Sequence, residues 1–383
     1  MSTTLRHFLD LIQPHLDKDI TELAINRPGE VWLEENGKWV LYQEDKIDEL
    51  WLDGLVRTVA AKQKQEVNET KPLLSTTLSS GLRIQIVMPP ACIIGTFTVT
   101  IRKPGSRKPS WEYYRNTGFF ERVVPEYQGI SEIDARILKL KNSGDYEEML
   151  KEAIAAKKNI IISGATSTGK TTFTNLLLDT ISINERLITI EDAEELQLSH
   201  KNVVRLIYSK GGQGVAKVTP GELLEACLRL TPDRIIYAEI RGPEAFDFLD
   251  TIFSGHDGCI TSMHASSPMK AIQRLQIMVK KHETGRTFEA RDIRTMIFSQ
   301  VDMIVQLQKE PVSEQEATQG FSTRFISDVY FDPVRQQKYI QDGMHDDSGF
   351  SFITDILLGI RNALQAMSEV INKIASKFLN KAE

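Results

Sequence analysis

At residues 159–171 the chain reads Asn159-Ile-Ile-Ile-Ser-Gly164-Ala-Thr-Ser-Thr-Gly169-Lys170-Thr171. An apolar run is followed there by a glycine-bounded loop, and the helical run Thr172–Leu178 comes next, which is the pattern of a phosphate-binding P-loop between a strand and a helix. The glycines let successive backbone N–H groups point inward, and the N-terminus of the helix adds its positive dipole end. The pattern predicts an α/β nucleotide-binding fold in which the nucleotide is bound by Gly164, Ala165, Thr166, Ser167, Thr168, Gly169, Lys170, Thr171 and Thr172.

Two side chains of this loop have a predicted role of their own. Lys170 is expected to reach the β- and γ-phosphates of ATP, and the hydroxyl of Thr171 is expected to take one coordination position of Mg²⁺. ATP and Mg²⁺ are therefore the predicted ligands. A P-loop does not by itself identify the reaction, because small-molecule kinases, switches and motors all contain one.

The composition argues against several classes of protein. The 383 residues include 46 Lys+Arg and 52 Asp+Glu, a formal net charge of −6, so the chain has no overall attraction to nucleic acid or to an anionic membrane surface. Its 3 cysteines form no C-x-x-C pair, which disfavours a disulfide framework and a zinc ribbon. No apolar run approaches the roughly 18 residues of a membrane span. We expect a reduced, cytoplasmic protein of two or three domains.

Residues 1–103 mix helical and strand periods within short segments, which predicts a small α+β domain. Strand-like runs at 30–34 and 38–42 flank Asn36-Gly37, a pair that tolerates positive φ and predicts a tight hairpin. Further strand-like runs lie at 73–78, 83–87 and 97–102. One helical face is predicted near the amino terminus, formed by Leu5, Phe8, Leu9, Ile12 and Leu16.

A polar run with Pro and Gly begins at Lys103, and we predict a linker over residues 104–140. In residues 141–337 apolar strand runs alternate with helical segments, which is typical of a parallel α/β sheet. The predicted strands are 159–162, 187–190, 234–238, 259–262 and 303–306. Residues 338–383 are predicted to be a polar segment followed by an amphipathic tail helix, 353–378, that packs on the chain itself, on a neighbouring subunit, on a partner or on a membrane.

Acidic residues follow two of the predicted strands. Glu191 and Asp192 follow residues 187–190, and Glu239 follows residues 234–238. Because ligands bind at the carboxyl edge of an open parallel sheet, these acids are expected beside the P-loop. Glu191 and Glu239 are candidates for orienting the attacking water and for holding the hydration shell of Mg²⁺, and the sequence leaves open which does which.

Two histidines flank the predicted strand 259–262. His264 follows it and His256 precedes it. A histidine near a γ-phosphate can donate a hydrogen bond that exists only before hydrolysis, so both are candidate nucleotide sensors, with His264 also a candidate catalytic residue. A zinc-type histidine pair is the weaker alternative, because no Cys or carboxylate stands at ligand spacing.

Four ordered motifs give the chain a resemblance to the secretion-ATPase superfamily. They correspond to its Walker A, Asp box, Walker B and His box, and they are residues 164–171, 190–196, 232–242 and 254–265. Three amino-terminal strings resemble the type IV secretion branch of VirB-type traffic ATPases, namely residues 26–31, 85–91 and 100–104. The resemblance extends from about Ile20 to about Pro333.

The resemblance implies a homohexamer in which nucleotide lies between a PAS-like amino-terminal domain and a RecA-like motor domain. It also implies that Arg102, and less surely Arg83, reach the phosphates, and that Arg241 is the Walker B arginine of the nucleotide site. The expected activity is ATP hydrolysis that powers substrate passage or pilus assembly. The expected location is the cytoplasmic face of the bacterial inner membrane, with secretion-channel components and other secretion ATPases as partners.

The sequence disfavours three alternatives. Type II assembly ATPases commonly carry a tetracysteine zinc motif, and pilus-retraction ATPases a characteristic carboxy-terminal string, and the chain has neither. A nucleic-acid ring motor is disfavoured by the acidic balance and by the lack of aromatic residues among the basic stretches, so no direct nucleic-acid partner is expected.

Overall fold

The computed structural model of the chain describes residues 3–105, 110–121, 123, 129–209, 214–310 and 324–341. Its strands are β1 (Glu22–Ile25), β2 (Gly29–Glu35), β3 (Lys38–Glu44), β4 (Leu73–Thr77), β5 (Arg83–Val87), β6 (Thr98–Arg102), β7 (Ile160–Gly164), β8 (Leu187–Glu191), β9 (Val203–Ile207), β10 (Arg234–Tyr237), β11 (Ile260–Met263), β12 (Met303–Lys309) and β13 (Arg324–Phe331). Its α-helices are α1 (Thr3–Leu16), α2 (Glu49–Lys62), α3 (Trp111–Asn116), α4 (Glu132–Ser143), α5 (Tyr146–Ala155), α6 (Lys170–Leu178), α7 (Pro220–Cys227), α8 (Glu244–Phe253), α9 (Pro268–Val279), α10 (Ala290–Gln300) and α11 (Pro333–Gln341).

The first six strands form an antiparallel sheet in the order β3-β2-β1-β6-β5-β4. Glu35 pairs with Lys38, so Asn36 and Gly37 alone form the turn, and their φ values of 53° and 74° confirm the predicted hairpin. The predicted helical face is also confirmed, because its side chains lie in the hydrophobic cluster that this sheet shares with α1 and α2. Strand β1 and helix α2 were not predicted.

The second sheet has seven strands in the order β13-β12-β7-β11-β10-β8-β9. All neighbours are parallel except β12 and β13, which form an antiparallel pair at one edge. The five predicted strands are confirmed to within a few residues, and the two edge strands β9 and β13 are additional. A mainly parallel sheet brings the carboxyl ends of its strands to one edge, which is where the P-loop lies.

The predicted linker was too long at its carboxyl end. Helix α4 begins at Glu132, is capped by Ser131 and ends at Gly144, whose φ is 80°. Its Ile137 is fully buried in the hydrophobic cluster of the second sheet, together with residues of α5. Residues 132–140 are therefore part of the packed structure around that sheet and not a tether.

Arg186, which directly precedes β8, joins the two sheets. Its guanidinium is fully buried and donates to the Oδ1 atoms of Asn26 (2.9 Å) and Asn202 and to the carbonyl of Leu230. A backbone hydrogen bond of 2.9 Å from Ile207 to Ala91 extends the edge of the second sheet with a segment of the amino-terminal region. The contact between the sheets is thus polar and hydrogen-bonded, whereas each sheet has its own apolar cluster.

The predicted tail helix, 353–378, lies outside the described residues. Helix α11 is the last described element. Among the helices within the described ranges, none combines the length and the apolar character needed to cross a bilayer.

Candidate nucleotide site

The P-loop adopts the backbone that its sequence predicts. Gly169 has a φ of 86° and is the N-cap of α6, and Ser167 also lies in the left-handed region with a φ of 64°. No side chain caps α6, so its first N–H groups remain available to an anion. Gly164 is required for space, because a Cβ there would lie 2.5 Å from Thr168 Oγ1 and 3.0 Å from the carbonyl oxygen of Leu307.

A cavity of about 370 Å³ opens above this loop at the carboxyl edge of the second sheet. It contains both anionic and cationic side chains as well as hydroxyl groups. Its lining residues are Thr166, Ser167, Gly169, Lys170, Thr171, Thr172, Thr174, Asp192, Ala193, Glu195, Leu196, Ala238, Glu239, Arg241, Ser262, His264 and Arg324. Of the predicted loop residues, Gly164, Ala165 and Thr168 do not line the cavity. The carbonyl oxygens of Gly164 and Ala165 accept hydrogen bonds from Lys170.

Lys170, His264 and Glu239 form a chain of contacts across the cavity. Lys170 Nζ donates to the carbonyls of Gly164 and Ala165 at 3.1 Å and lies 3.2 Å from His264 Nδ1. His264 Nε2 is 3.1 Å from Glu239 Oε1. His264 Nδ1 also lies 3.2 Å from the carbonyl oxygen of Gly164, so it faces one group that can only donate, the ammonium of Lys170, and one that can only accept.

Burial shifts the pKa of each member of this chain. It raises the pKa of Glu239 against the opposing effect of Lys170. Burial and then the charge of Lys170 lower the pKa of His264, so the imidazole is neutral at pH 7. Burial also lowers the pKa of Lys170, although Glu239 opposes that shift. The site therefore holds a neutral histidine between an ammonium group and a carboxylate.

Glu239 also binds the predicted Walker B arginine. Arg241 donates to Glu239 Oε2 at 2.5 Å and to Asp192 Oδ2 at 2.6 Å, so two carboxylates neutralise it. The second oxygen, Glu239 Oε1, is buried and accepts no hydrogen bond of good geometry despite its closeness to His264. A buried oxygen that faces a cavity in this state is suited to a water molecule or a hydrated cation.

Glu191 does not take part in this arrangement, which corrects its predicted catalytic role. Its carboxylate is completely buried and accepts hydrogen bonds from the Thr189 hydroxyl and from the backbone N–H groups of Glu195 and Leu196. Arg205 binds both of its oxygens, at 2.9 and 2.8 Å. With its acceptors occupied, Glu191 has no free oxygen for a water molecule.

Three other predicted residues are not brought to the cavity. Arg102 and Arg83 are paired neighbours on β6 and β5, both exposed, and Arg102 lies 3.5 Å from Glu22. Neither lines the cavity of its own chain. His256 precedes β11, and because β11 runs parallel to β7, it lies at the edge opposite the P-loop. Within the described part of this chain, His256 therefore does not line the nucleotide cavity, and its role as a sensor stays a prediction.

The sequence analysis missed Glu195 and Arg324. Glu195 Oε2 accepts a hydrogen bond from the Thr171 hydroxyl at 3.3 Å. The signal that could have identified Glu195 is its position within residues 190–196, the string that resembles the Asp box. Arg324 begins β13, a strand that was not predicted, and no motif marks it. Within the described ranges, no group of three or more His, Cys, Asp or Glu side chains is arranged to hold a metal ion.

Comparisons with known proteins agree with this geometry. The family model of the type II/IV secretion system protein matches residues 122–376. The chain is 38% identical over 336 residues to the type IV secretion system protein VirB11 of Brucella suis, covering 87% of this chain and 91% of the relative. It is 37% identical to the type IV secretion system protein PtlH of Bordetella pertussis, covering 85% of this chain and 94% of that protein.

A crystal structure of the Brucella suis VirB11 ATPase in complex with sulphate matches with a TM-score of 0.81 and 38% identity, covering 88% of this chain and 97% of that one. Family, sequence and fold thus agree with the four motifs and with the cavity at the P-loop. The chain belongs to the type II/IV secretion system protein family, and within that family it is a VirB-type ATPase of type IV secretion.

Proposed function

We propose that the chain is a Mg²⁺-dependent ATP hydrolase that works as a ring-forming motor and powers substrate passage or pilus assembly. The observation that supports this most directly is the chain of contacts from Lys170 through His264 to Glu239 inside the P-loop cavity. It combines a cation for phosphate oxygens with an acidic group that has a free oxygen.

Phosphate binding in this proposal relies on the backbone and on Lys170. The uncapped N-terminus of α6 and the P-loop N–H groups bind the phosphate oxygens, and Lys170 moves from its carbonyl partners to the β- and γ-phosphates. The Thr171 hydroxyl, which here donates to Glu195, would be a ligand of the metal ion. Mg²⁺, when bound, neutralises charge on the β- and γ-oxygens and so favours phosphoryl transfer.

Glu239 is the proposed general base. Its raised pKa brings its basicity closer to neutral pH, which improves proton transfer from an attacking water. Its unsatisfied Oε1 can accept that water's hydrogen bond. His264 is the proposed γ-phosphate sensor, because its ring lines the cavity between Lys170 and Glu239 and can exchange one of these contacts for a phosphate oxygen.

The division of labour between domains is also proposed. Residues 1–103 act as the PAS-like amino-terminal domain and residues 141–337 as the RecA-like motor domain, which is supported by their separate hydrophobic clusters. The ring is a homohexamer at the cytoplasmic face of the inner membrane, held there by channel components and other secretion ATPases. Support for that assembly comes from membership of the family, whose relatives are named type IV secretion system proteins.

The test is the turnover of Lys170→Ala. Removal of one phosphate-stabilising cation is expected to lower kcat at least about 100-fold, while the thermal unfolding midpoint stays close to wild type. Lys151→Ala is the matched control, because Lys151 is an exposed lysine of α5 that pairs with Glu147 at i,i+4 and does not line the cavity. Wild-type turnover in Lys170→Ala, or turnover that does not need Mg²⁺, would refute the site.

The ring is tested by measuring the mass of the native assembly in the same preparations with ATP. The mass should correspond to six copies of the chain, and a monomer would refute the ring.

A further inference from the structure

Arg324 is carried to the P-loop by the pairing of three strands. Leu307 of β12 is level with Gly164 of β7, and Ile326 of β13 is level with Leu307. Arg324 pairs with Lys309, which lies two residues beyond Leu307 along β12. Because β12 runs parallel to β7, this is the direction in which β7 leads into the P-loop. The sheet register therefore fixes Arg324 beyond the carboxyl end of β7, above the loop and not beside the sheet.

The side chain of Arg324 lies directly on the loop. A Cβ added at Gly169 would be 3.0 Å from Arg324 Cδ and 3.4 Å from Nη1. The stem of the arginine thus packs on the glycine that begins α6, and the guanidinium is part of the cavity wall. This position is on the β12–β13 side of the loop, whereas His264 and Glu239 follow β11 and β10.

The charge of Arg324 is not neutralised in the way that the charge of Arg241 is. Arg241 is held by Asp192 and Glu239, and Lys170 is balanced by the nearby Glu239. Within the described part of the chain, no hydrogen bond or ion pair engages the Arg324 guanidinium. An arginine in a phosphate cavity without a carboxylate partner is suited to a phosphate oxygen, because its planar fork matches that geometry.

We infer that Arg324 binds the phosphate chain of the nucleotide in cis, from the β12–β13 side of the P-loop. The inference rests on the proposed nucleotide site and adds one phosphate-binding residue to it. Arg324 and Lys170 then contact the phosphates from different sides of the loop. The contact also links nucleotide occupancy to the β12–β13 hairpin.

The experiment uses the full chain with Arg324→Gln and measures binding of a non-hydrolysable ATP analogue and of inorganic tripolyphosphate. Loss of one charge-assisted contact is expected to weaken both about tenfold or more. Lys309→Gln is the matched control, because it removes one positive charge at the paired position of the same hairpin and does not line the cavity. Its affinities should remain within about twofold of wild type. Arg324→Lys keeps the charge without the fork and should fall between the two.

The outcomes separate this inference from the function proposed above. If Lys170→Ala abolishes binding while Arg324→Gln binds both ligands like wild type, the inference is wrong and the nucleotide site remains. Equal losses in Arg324→Gln and Lys309→Gln would also overturn it, because they would indicate a general charge effect. If Arg324→Gln does not fold, Arg324→Lys decides, and wild-type affinity for tripolyphosphate in that variant counts against the fork contact.

Discussion

Glu191 and Glu239 follow neighbouring strands at the same edge of the sheet, yet their surroundings give them different chemistry. Glu191 is saturated by Arg205 and by backbone N–H groups, whereas Glu239 keeps a buried oxygen without a donor. A carboxylate with all acceptor sites occupied stabilises structure, and one with a free site can bind water. This difference is the reason for proposing Glu239, and not Glu191, as the general base.

Glu191→Gln tests this difference through stability. The substitution leaves the Arg205 guanidinium without its carboxylate next to a buried site, so the free energy of unfolding should fall by about 3 kcal/mol. Denaturant unfolding of the full chain measures it. Glu194→Gln is the control, because Glu194 is exposed and only 3.6 Å from the same arginine, and its loss should stay below about 1 kcal/mol. If Glu191→Gln kept native stability but lost all turnover, Glu191 would have a catalytic role after all.

The sequence identified both acids but could not separate them. Their position after apolar strand runs was sufficient to predict a common edge. The residue that saturates Glu191 is Arg205, which stands on β9 opposite Thr189. Since β9 was not among the predicted strands, the partner that removes Glu191 from the chemistry was invisible before the sheet register was known.

In the second sheet, the interior strands were predicted from the sequence, and the two edge strands β9 and β13 were not. Central strands β7, β8 and β10 are continuous apolar runs, and their burial on both faces leaves that signal in the sequence. Edge strand β13 has a largely exposed burial pattern and pairs antiparallel to β12, so its composition carries no comparable signal. The omission of β13 explains why Arg324 was missed.

Strand β1 contains a buried acid that should make stability depend on pH. Burial of Glu22 raises its pKa to about 7 from 4.5, with Arg102 as the main opposing influence. Between those values the folded chain holds a proton that the unfolded chain releases, so stability is highest below about pH 4.5 and falls as the pH rises through about 7. The wild-type free energy of unfolding should fall by about 3 kcal/mol between about pH 4.5 and pH 8, and Glu22→Gln should remove this dependence.

Unfolding midpoints of wild type and Glu22→Gln at a series of pH values measure the effect. Glu69→Gln is the control, because Glu69 is exposed and lies between α2 and β4 of the same sheet domain. Its unfolding midpoints should depend on pH as those of wild type do. Parallel curves for wild type and Glu22→Gln between pH 5 and 8 would contradict the buried, protonated state of Glu22.

In the whole molecule, the two sheets can act on one another only through the contacts between them. Each has its own apolar cluster, and the contacts between them include the buried, hydrogen-bonded group of Arg186, Asn26 and Asn202 and the backbone hydrogen bond from Ile207 to Ala91. Burial lowers the pKa of Arg186 to about 10, with the nearby Asp233 opposing it, so the group is still charged at neutral pH. A buried cation without a directly bound carboxylate is costly and holds its place only while its acceptors stay in position. Movement of one sheet against the other would therefore break this network as a unit.

Arg186→Gln should uncouple the two sheets while the hydrophobic cluster of each sheet stays folded. Asn26 and Asn202 would lose their charged donor, and we expect stability to fall by about 3 kcal/mol with faster amide exchange at β1, β6 and the start of β8. Exchange in the centres of the two apolar clusters should change less, because those residues do not touch the arginine. Arg229→Gln, which removes an exposed arginine from an i,i+4 pair, is the control and should leave exchange as in wild type. If amide exchange in Arg186→Gln became faster to the same extent across both sheets, the sheets would unfold as one body and Arg186 would be an ordinary core residue. If protection in this variant stayed as in wild type, the polar network would not hold the sheets together.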